Sequence, residues 1–119
     1  MIVAVPVDEH GHVGHSWGRA HTVAIARVTG DSVTDWHEYP VGWDALHDQG
    51  SEGAHHARVV KFLREHEVSG VALSHVGPGM QRMMATMGIY LVTGASGDAT
   101  EAVIALARDA ETEPEYPNT

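Results

Sequence analysis

The chain has 119 residues, enough for one domain that buries its own core, and with 43% hydrophobic and 19% charged residues it has the composition of a folded globular protein. Its 16 acidic against 7 basic residues give a net charge of −9, which repels phosphate backbones and argues against nucleic acid as a partner. It has no cysteine, which excludes disulfides, a thiol nucleophile and thiolate-held zinc or iron-sulfur centres, while its 10 histidines are an excess that needs explaining.

The opening run IVAVPV, residues 2–7, is continuous and β-branched, the pattern of a strand buried on both faces, with Pro6 near its end. No basic leader precedes it, so we expect a strand here rather than a secretory signal, and a cytoplasmic location; the longest apolar runs are too short to cross a bilayer. After the loop DEHGHVGHSWG come HTVAIARVT (21–29) and SVTDWHEY (32–39), flanking Gly30-Asp31, a pair that closes antiparallel hairpins. From Pro40 to Glu52 no period is sustained, which predicts a long connector.

Ser51 is placed to cap a helix over 52–66, with Val59, Val60, Phe62 and Leu63 on one side and Arg58, Lys61, Arg64 and Glu65 on the other. His55 and His56 fall within the apolar arc of that helix, so they are expected to face the protein. GVALS (70–74) predicts a strand, MQRMMATM (80–87) a short helix and IYLVT (89–93) another strand. Asp98 and Glu101 have capping-box spacing ahead of a last helix over 99–108, and residues 109–119 are expected to form an acidic flexible tail.

The order βββαβαβα predicts an α/β domain over residues 1–108, ribonuclease H-like, with a five-stranded mixed sheet and three helices. An antiparallel meander followed by a crossover lets strands one, three and four run the same way. The loop after strand one, the starts of strand two and of the first helix, and the ends of strands three and four then share one sheet edge. Ligand sites of open α/β sheets lie at the strand carboxyl ends. His10, His12, His15, His21, His37, His47, His55, His56 and His75 are expected at that rim, with His66 opposite.

Imidazole is a common metal ligand that is neutral near pH 7. The expected ligands are His55, His56 and His75, then His15 and His47, with Trp17 and Trp43 covering the site. Adjacent residues on a helix diverge, so one of His55 and His56 binds while the other packs or orients a ligand. Gly77-Pro78-Gly79 ahead of Met80 brings a strand end to a helix start, where glycine permits close approach and free amides suit an anion. Gly77, Gly79, Met80 and Trp17 are the expected cofactor-binding residues. Met80, Met83, Met84 and Met87 form a stripe that reads mainly as core packing. By ligand chemistry, histidine-only sites suit zinc, copper, nickel or iron.

Taken together, IVAVPVDEHGHVGHSWGRA and GAHHARVVKFLREHEVSGVALSHVGPGMQRMMATMGIYLVTG resemble the dinitrogenase iron-molybdenum cofactor biosynthesis family, the NifX and NafY type. The resemblance covers roughly residues 1–108. It is most specific at Trp17-Gly18-Arg19-Ala20 and in the strand-Gly-Pro-Gly-helix block ending at Gly88-Ile89. It implies a small ribonuclease H-like carrier of iron-sulfur or molybdenum-containing clusters, not an enzyme, working with cluster donor and acceptor proteins as a monomer or homodimer. Where the family carries His-Phe-Gly before the Arg-Ala pair, this chain has Ser16-Trp17-Gly18, with histidine one place earlier at His15. The expected function is therefore a non-catalytic metal or metallocluster carrier. Two alternatives stay open: a histidine-ligated hydrolase or redox enzyme with Asp8 or Glu9 as base, and a metal-independent interaction module using the edge strand 32–39.

Overall fold

The continuous apolar run at the start of the chain becomes the middle of a five-stranded sheet. The structure, a computed structural model, describes residues 1–46 and 51–112. In chain order the elements are β1 (Ile2–Val7), β2 (Thr22–Thr29), β3 (Ser32–Tyr39), α1 (Trp43–Leu46), α2 (Glu52–Glu65), β4 (Gly70–Ala72), α3 (Pro78–Thr86), β5 (Tyr90–Val92) and α4 (Ala99–Thr112). The sheet order is β3-β2-β1-β4-β5. β1 pairs antiparallel with β2 and parallel with β4, so the sheet is mixed as expected. β3 is an edge strand.

Helices cover both faces, which is why β1 shows no polar alternation. Val3, Val5 and Val7 join Ala24, Ala26, Val28, Val103 and Leu106 in the core beneath α4. Ala4 turns the other way, into a core with Val23, Trp17, Trp43, Val59, Leu63, Met80 and Met84, from α2, α3 and the rim loops. A valine withdrawn fully from water stabilises the fold by roughly 1.5–3 kcal/mol, so this two-sided burial anchors the sheet. Met80 and Met84 are buried, while Met83 and Met87 pack against the same cluster, so the methionine stripe is chiefly core.

The hairpin forms at Gly30-Asp31, with Thr29 paired to Ser32 and Gly30 at φ +61°, the left-handed conformation a two-residue turn requires of its first residue. Ser51 caps α2, its hydroxyl accepting from the Ala54 amide at 3.1 Å. α3 starts two residues before the expected Met80, because Pro78 suits the first helical position and Gly77 caps it in an extended conformation. α4 starts as expected, with the Asp98 carboxylate accepting from the Glu101 amide at 2.9 Å, but runs to Thr112, so residues 109–112 are helical. The remainder of the expected tail lies outside the described residues.

Two expectations need correction. The segment read as a connector contains a helix, so among the described residues there are four helices rather than three. The described part of α1 is one turn, too short to show a period. It is held by tertiary contacts: the Asp44 amide donates to Ala20 O at 3.2 Å and the Gly42 amide to His21 O at 3.0 Å, while Trp43 is only 2% exposed. His66, expected opposite the rim, packs against Tyr39 with ring centroids 4.5 Å apart and the rings tilted by 47°. Tyr39 ends β3, so α2 crosses the sheet and its far end meets that strand's carboxyl end.

The loop after β1 is organised by Asp8. One carboxylate oxygen accepts from the His10 and His12 amides at 2.8 and 2.9 Å. These two backbone hydrogen bonds, from His12 and from His10, lower the Asp8 pKa below its ordinary value of 3.8, because they favour the charged form. A depressed carboxylate contributes stability above the unfolded value and loses it as pH falls through the folded one. The loop contribution is therefore fully present well above the ordinary carboxylate value and fades as pH falls below it towards the lowered folded value. Asp8→Ala is expected to melt slightly below the wild type at pH 6, by a gap that narrows at pH 3. A gap of the same size at both pH values would disprove the assignment.

Candidate functional site

At the carboxyl end of the sheet the loops are laced to one another. The Gly14 amide donates to Pro6 O at 2.7 Å, Val13 to Gly97 O at 2.8 Å and Trp17 to His75 O at 3.5 Å. Beside these loops the N-termini of α2 and α3 leave a cleft of about 410 Å³, lined by Trp17, Gly18, His55, His56, Val76, Gly77, Pro78, Gly79 and Met80. Six of the nine residues singled out from the sequence thus meet at one place: Trp17, Gly77, Gly79, Met80, His55 and His56.

His55 is 5% exposed, and both its ring nitrogens are engaged. A carbonyl can only accept, so Nε2–H donates to Gly18 O at 2.9 Å. A guanidinium can only donate, so Nδ1 accepts from Arg58 at 3.0 Å. Those two partners select the neutral ring with its proton on Nε2. His55 therefore ties the Trp17-Gly18 loop to α2, and binding a metal would require it to give up one of these contacts. Arg58, placed by the helical wheel on the polar side, reaches back one turn to His55; its long flexible stem makes that possible.

His56 is half-buried on the wall next to Gly79. A Cβ at Gly79 would lie 3.2 Å from His56 Cε1, so glycine keeps this passage open. At the start of α3 no side chain caps the helix, Pro78 has no N–H, and the first backbone bond of the turn is Gln81 N–H to Gly77 O at 3.0 Å. The Gly79 and Met80 amides thus precede the helical ladder and are left as donors. Trp17 is fully buried, and its indole N–H has no partner. None of the nine lining residues is acidic.

The other expected ligands lie elsewhere. His15 and His75 are exposed and do not line the cleft, although the His75 carbonyl receives the Trp17 amide. His47 lies outside the described residues. Trp43 does not cover the cleft but packs behind it, edge-to-face with Trp17 at 5.2 Å and 6.4 Å from the His55 ring. Several other rim histidines sit beside carboxylates on the surface, His21 by Asp44 at 3.3 Å and His37 by Asp35 at 3.0 Å. Among the described residues no three His, Asp or Glu side chains are grouped to hold one metal ion. Asp8, considered as a base, has an oxygen committed to its own loop. The residues missed from the sequence are Gly18, whose carbonyl is a long-range partner, and Arg58; neither carries a signal in composition or spacing.

The family model for the dinitrogenase iron-molybdenum cofactor matches residues 1–109. The crystal structure of PH0822 superposes with a TM-score of 0.69 at 22% identity, covering 88% of this chain and 89% of that one. The apo form of the orange protein from Desulfovibrio gigas gives a TM-score of 0.70 at 16% identity, covering 99% of this chain and 96% of that one. At such identities the likeness concerns the fold. No curated protein matches the sequence.

Proposed function

This chain belongs to the dinitrogenase iron-molybdenum cofactor family, and from that membership we propose that it is a non-catalytic carrier that holds metal-containing cargo in the cleft between α2 and α3. The observation that carries this reading is the convergence of His56, Trp17, Gly77, Gly79 and Met80 on one cleft of about 410 Å³ at the strand-end rim. Such a volume takes a small cluster or a metal oxyanion, and this is the edge where open α/β sheets hold ligands.

His56 is the imidazole best placed to reach the cargo, while His55, engaged at both nitrogens, positions the loop. His75 and His15 are further donors that a rim movement would have to bring in, and His47 is a further candidate that lies outside the described residues. A hold that relies on few ligands suits a protein that must release its cargo to an acceptor protein. The layout we read as ribonuclease H-like, and the working compartment as the cytoplasm; among the described residues no helix is long and apolar enough to cross a membrane.

The test is metal analysis with an absorption spectrum on protein purified without a His-tag or chelating column, for wild type and Gly79→Val. The variant fills the passage beside His56 at an ordinary helical position, so the fold should persist. Metal should accompany the wild type and fall severalfold in Gly79→Val at an unchanged Tm. Equal metal in both, or only traces in both, counts against the carrier site.

A further inference from the structure

We propose that the open edge of β3 pairs with β3 of a second copy of this chain, antiparallel and centred on Trp36, so that the two sheets join into one across a two-fold axis. The inference stands apart from the carrier reading, because no residue of β3 lines the cleft.

The sheet ends at β3 on one side and at β5 on the other, and the two edges differ. β5 has three residues, whereas β3 has eight, long enough to act as a template for another strand. Which of its backbone groups are free follows from the pairing. The Val28 amide donates to Met1 O at 2.9 Å, so Val28 and, two residues back, Ala26 face β1, while Ile25 and Arg27 face β3. Ile25 lies opposite His37 and Arg27 opposite Asp35, which leaves Trp36 between them with its N–H and C=O turned to the open edge. That N–H is held locally: the Asp35 carboxylate accepts from it at 3.1 Å and also lies 3.0 Å from His37 Nε2. Among the described residues no further strand supplies a backbone acceptor there.

A second copy supplies one, in a register that its side chains match. When Trp36 lies opposite the second copy's Trp36, the two residues exchange backbone N–H to C=O hydrogen bonds. Asp35 then falls opposite the second copy's His37, and His37 opposite its Asp35, at the positions where facing side chains stand closest. Each carboxylate gives up an amide and gains an imidazole N–H, which donates to it whether the ring is neutral or charged. The two half-buried Trp36 rings come side by side on the α4 side of the sheet. A slip of two residues one way sets Asp35 against Asp35, and the other way His37 against His37. The charges therefore select one alignment, and it is the symmetric one that closes as a dimer instead of continuing as a fibre. The break in the β2–β3 register lies beyond Asp35, which leaves residues 35–39 regular. An edge pairing of this length buries little surface, so the dimer is weak and concentration-dependent.

The experiment is sedimentation velocity of the untagged chain from micromolar to millimolar concentration, for wild type, His37→Asp, and the swap that combines Asp35→His with His37→Asp. Both positions are exposed, and circular dichroism checks that each variant is folded. The wild type should pass from monomer to dimer. In His37→Asp, carboxylates oppose each other at both symmetry-related pairs, and dimerisation should weaken about tenfold. The swap has the composition of the wild type and restores opposite partners across the axis, so it should recover the dimer. In 15N spectra of the wild type, the Trp36 amide should become more protected from hydrogen exchange as concentration rises, a readout that needs no variant to fold.

A wild type that stays monomeric throughout overturns the proposal, and so does a dimer that ignores His37→Asp or a swap variant that fails to recover. A synthetic peptide of residues 32–39 that protects the Trp36 amide while the chain itself stays monomeric would assign the edge to an extended segment of another protein, and the dimer would fall.

Discussion

His55→Ala should lower the unfolding free energy by about 2–3 kcal/mol, because truncation leaves the Gly18 carbonyl without its donor and Arg58 without its acceptor in a partly buried setting and removes a buried ring. For a domain of this size that is a fall in Tm of about 10 °C or more. His55 touches both the 17–18 loop and α2, across 37 positions of sequence, so the loss opens the cleft as well as the core. Thermal and urea unfolding of the variant measure the loss. His55→Gln, whose amide can donate to Gly18 and whose carbonyl can accept from Arg58, should recover part of it. If His55→Ala melts within a degree or two of the wild type, the histidine is not the tie between loop and helix.

A loss of similar size is expected at Trp43. Its ring is 2% exposed and meets Trp17 at 5.2 Å, Phe62 at 5.5 Å and His55 at 6.4 Å, each edge-to-face. Removing a buried tryptophan costs about 3–5 kcal/mol through lost transfer energy and the cavity left behind. Against a net stability of about 5–15 kcal/mol, Trp43→Ala is left marginal. Urea unfolding followed by circular dichroism would show the midpoint move far down. Trp43→Phe should recover much of it, since an aromatic edge and most of the volume return. A full-strength Trp43→Ala would mean that α1 contributes little to the core.

These two positions show where sequence reasoning stops. The direction of His55 and His56 was readable, because helical geometry puts both in the arc of Val59 and Leu63, and the structure buries His55 and half-buries His56. The partners of His55 were not. Gly18 belongs to the Trp17-Gly18-Arg19-Ala20 motif, but nothing in the motif says which side chain its carbonyl meets, and Arg58 reads as a residue of the solvent face. Likewise Trp43 in a segment without period gave no hint of a helix, since α1 exists through contacts made by Ala20 and His21. The histidine excess pointed to the rim, yet His21 and His37 stand there beside Asp44 and Asp35 on the surface, and among the described histidines only His55 and His56 line the cleft.

Strands and helices were legible because their causes are local: alternation and continuity of apolar residues, the Ser51 and Asp98 caps, and Gly30 at the hairpin act within a few positions. The pocket is different in kind. It forms where the Trp17-Gly18 loop, the start of α2 and the Gly77-Pro78-Gly79 turn are brought together by the packing of helices on a sheet. No window of the chain contains that arrangement. Local pattern decides which elements form and which faces they bury, and only their assembly decides which polar groups are left facing one another.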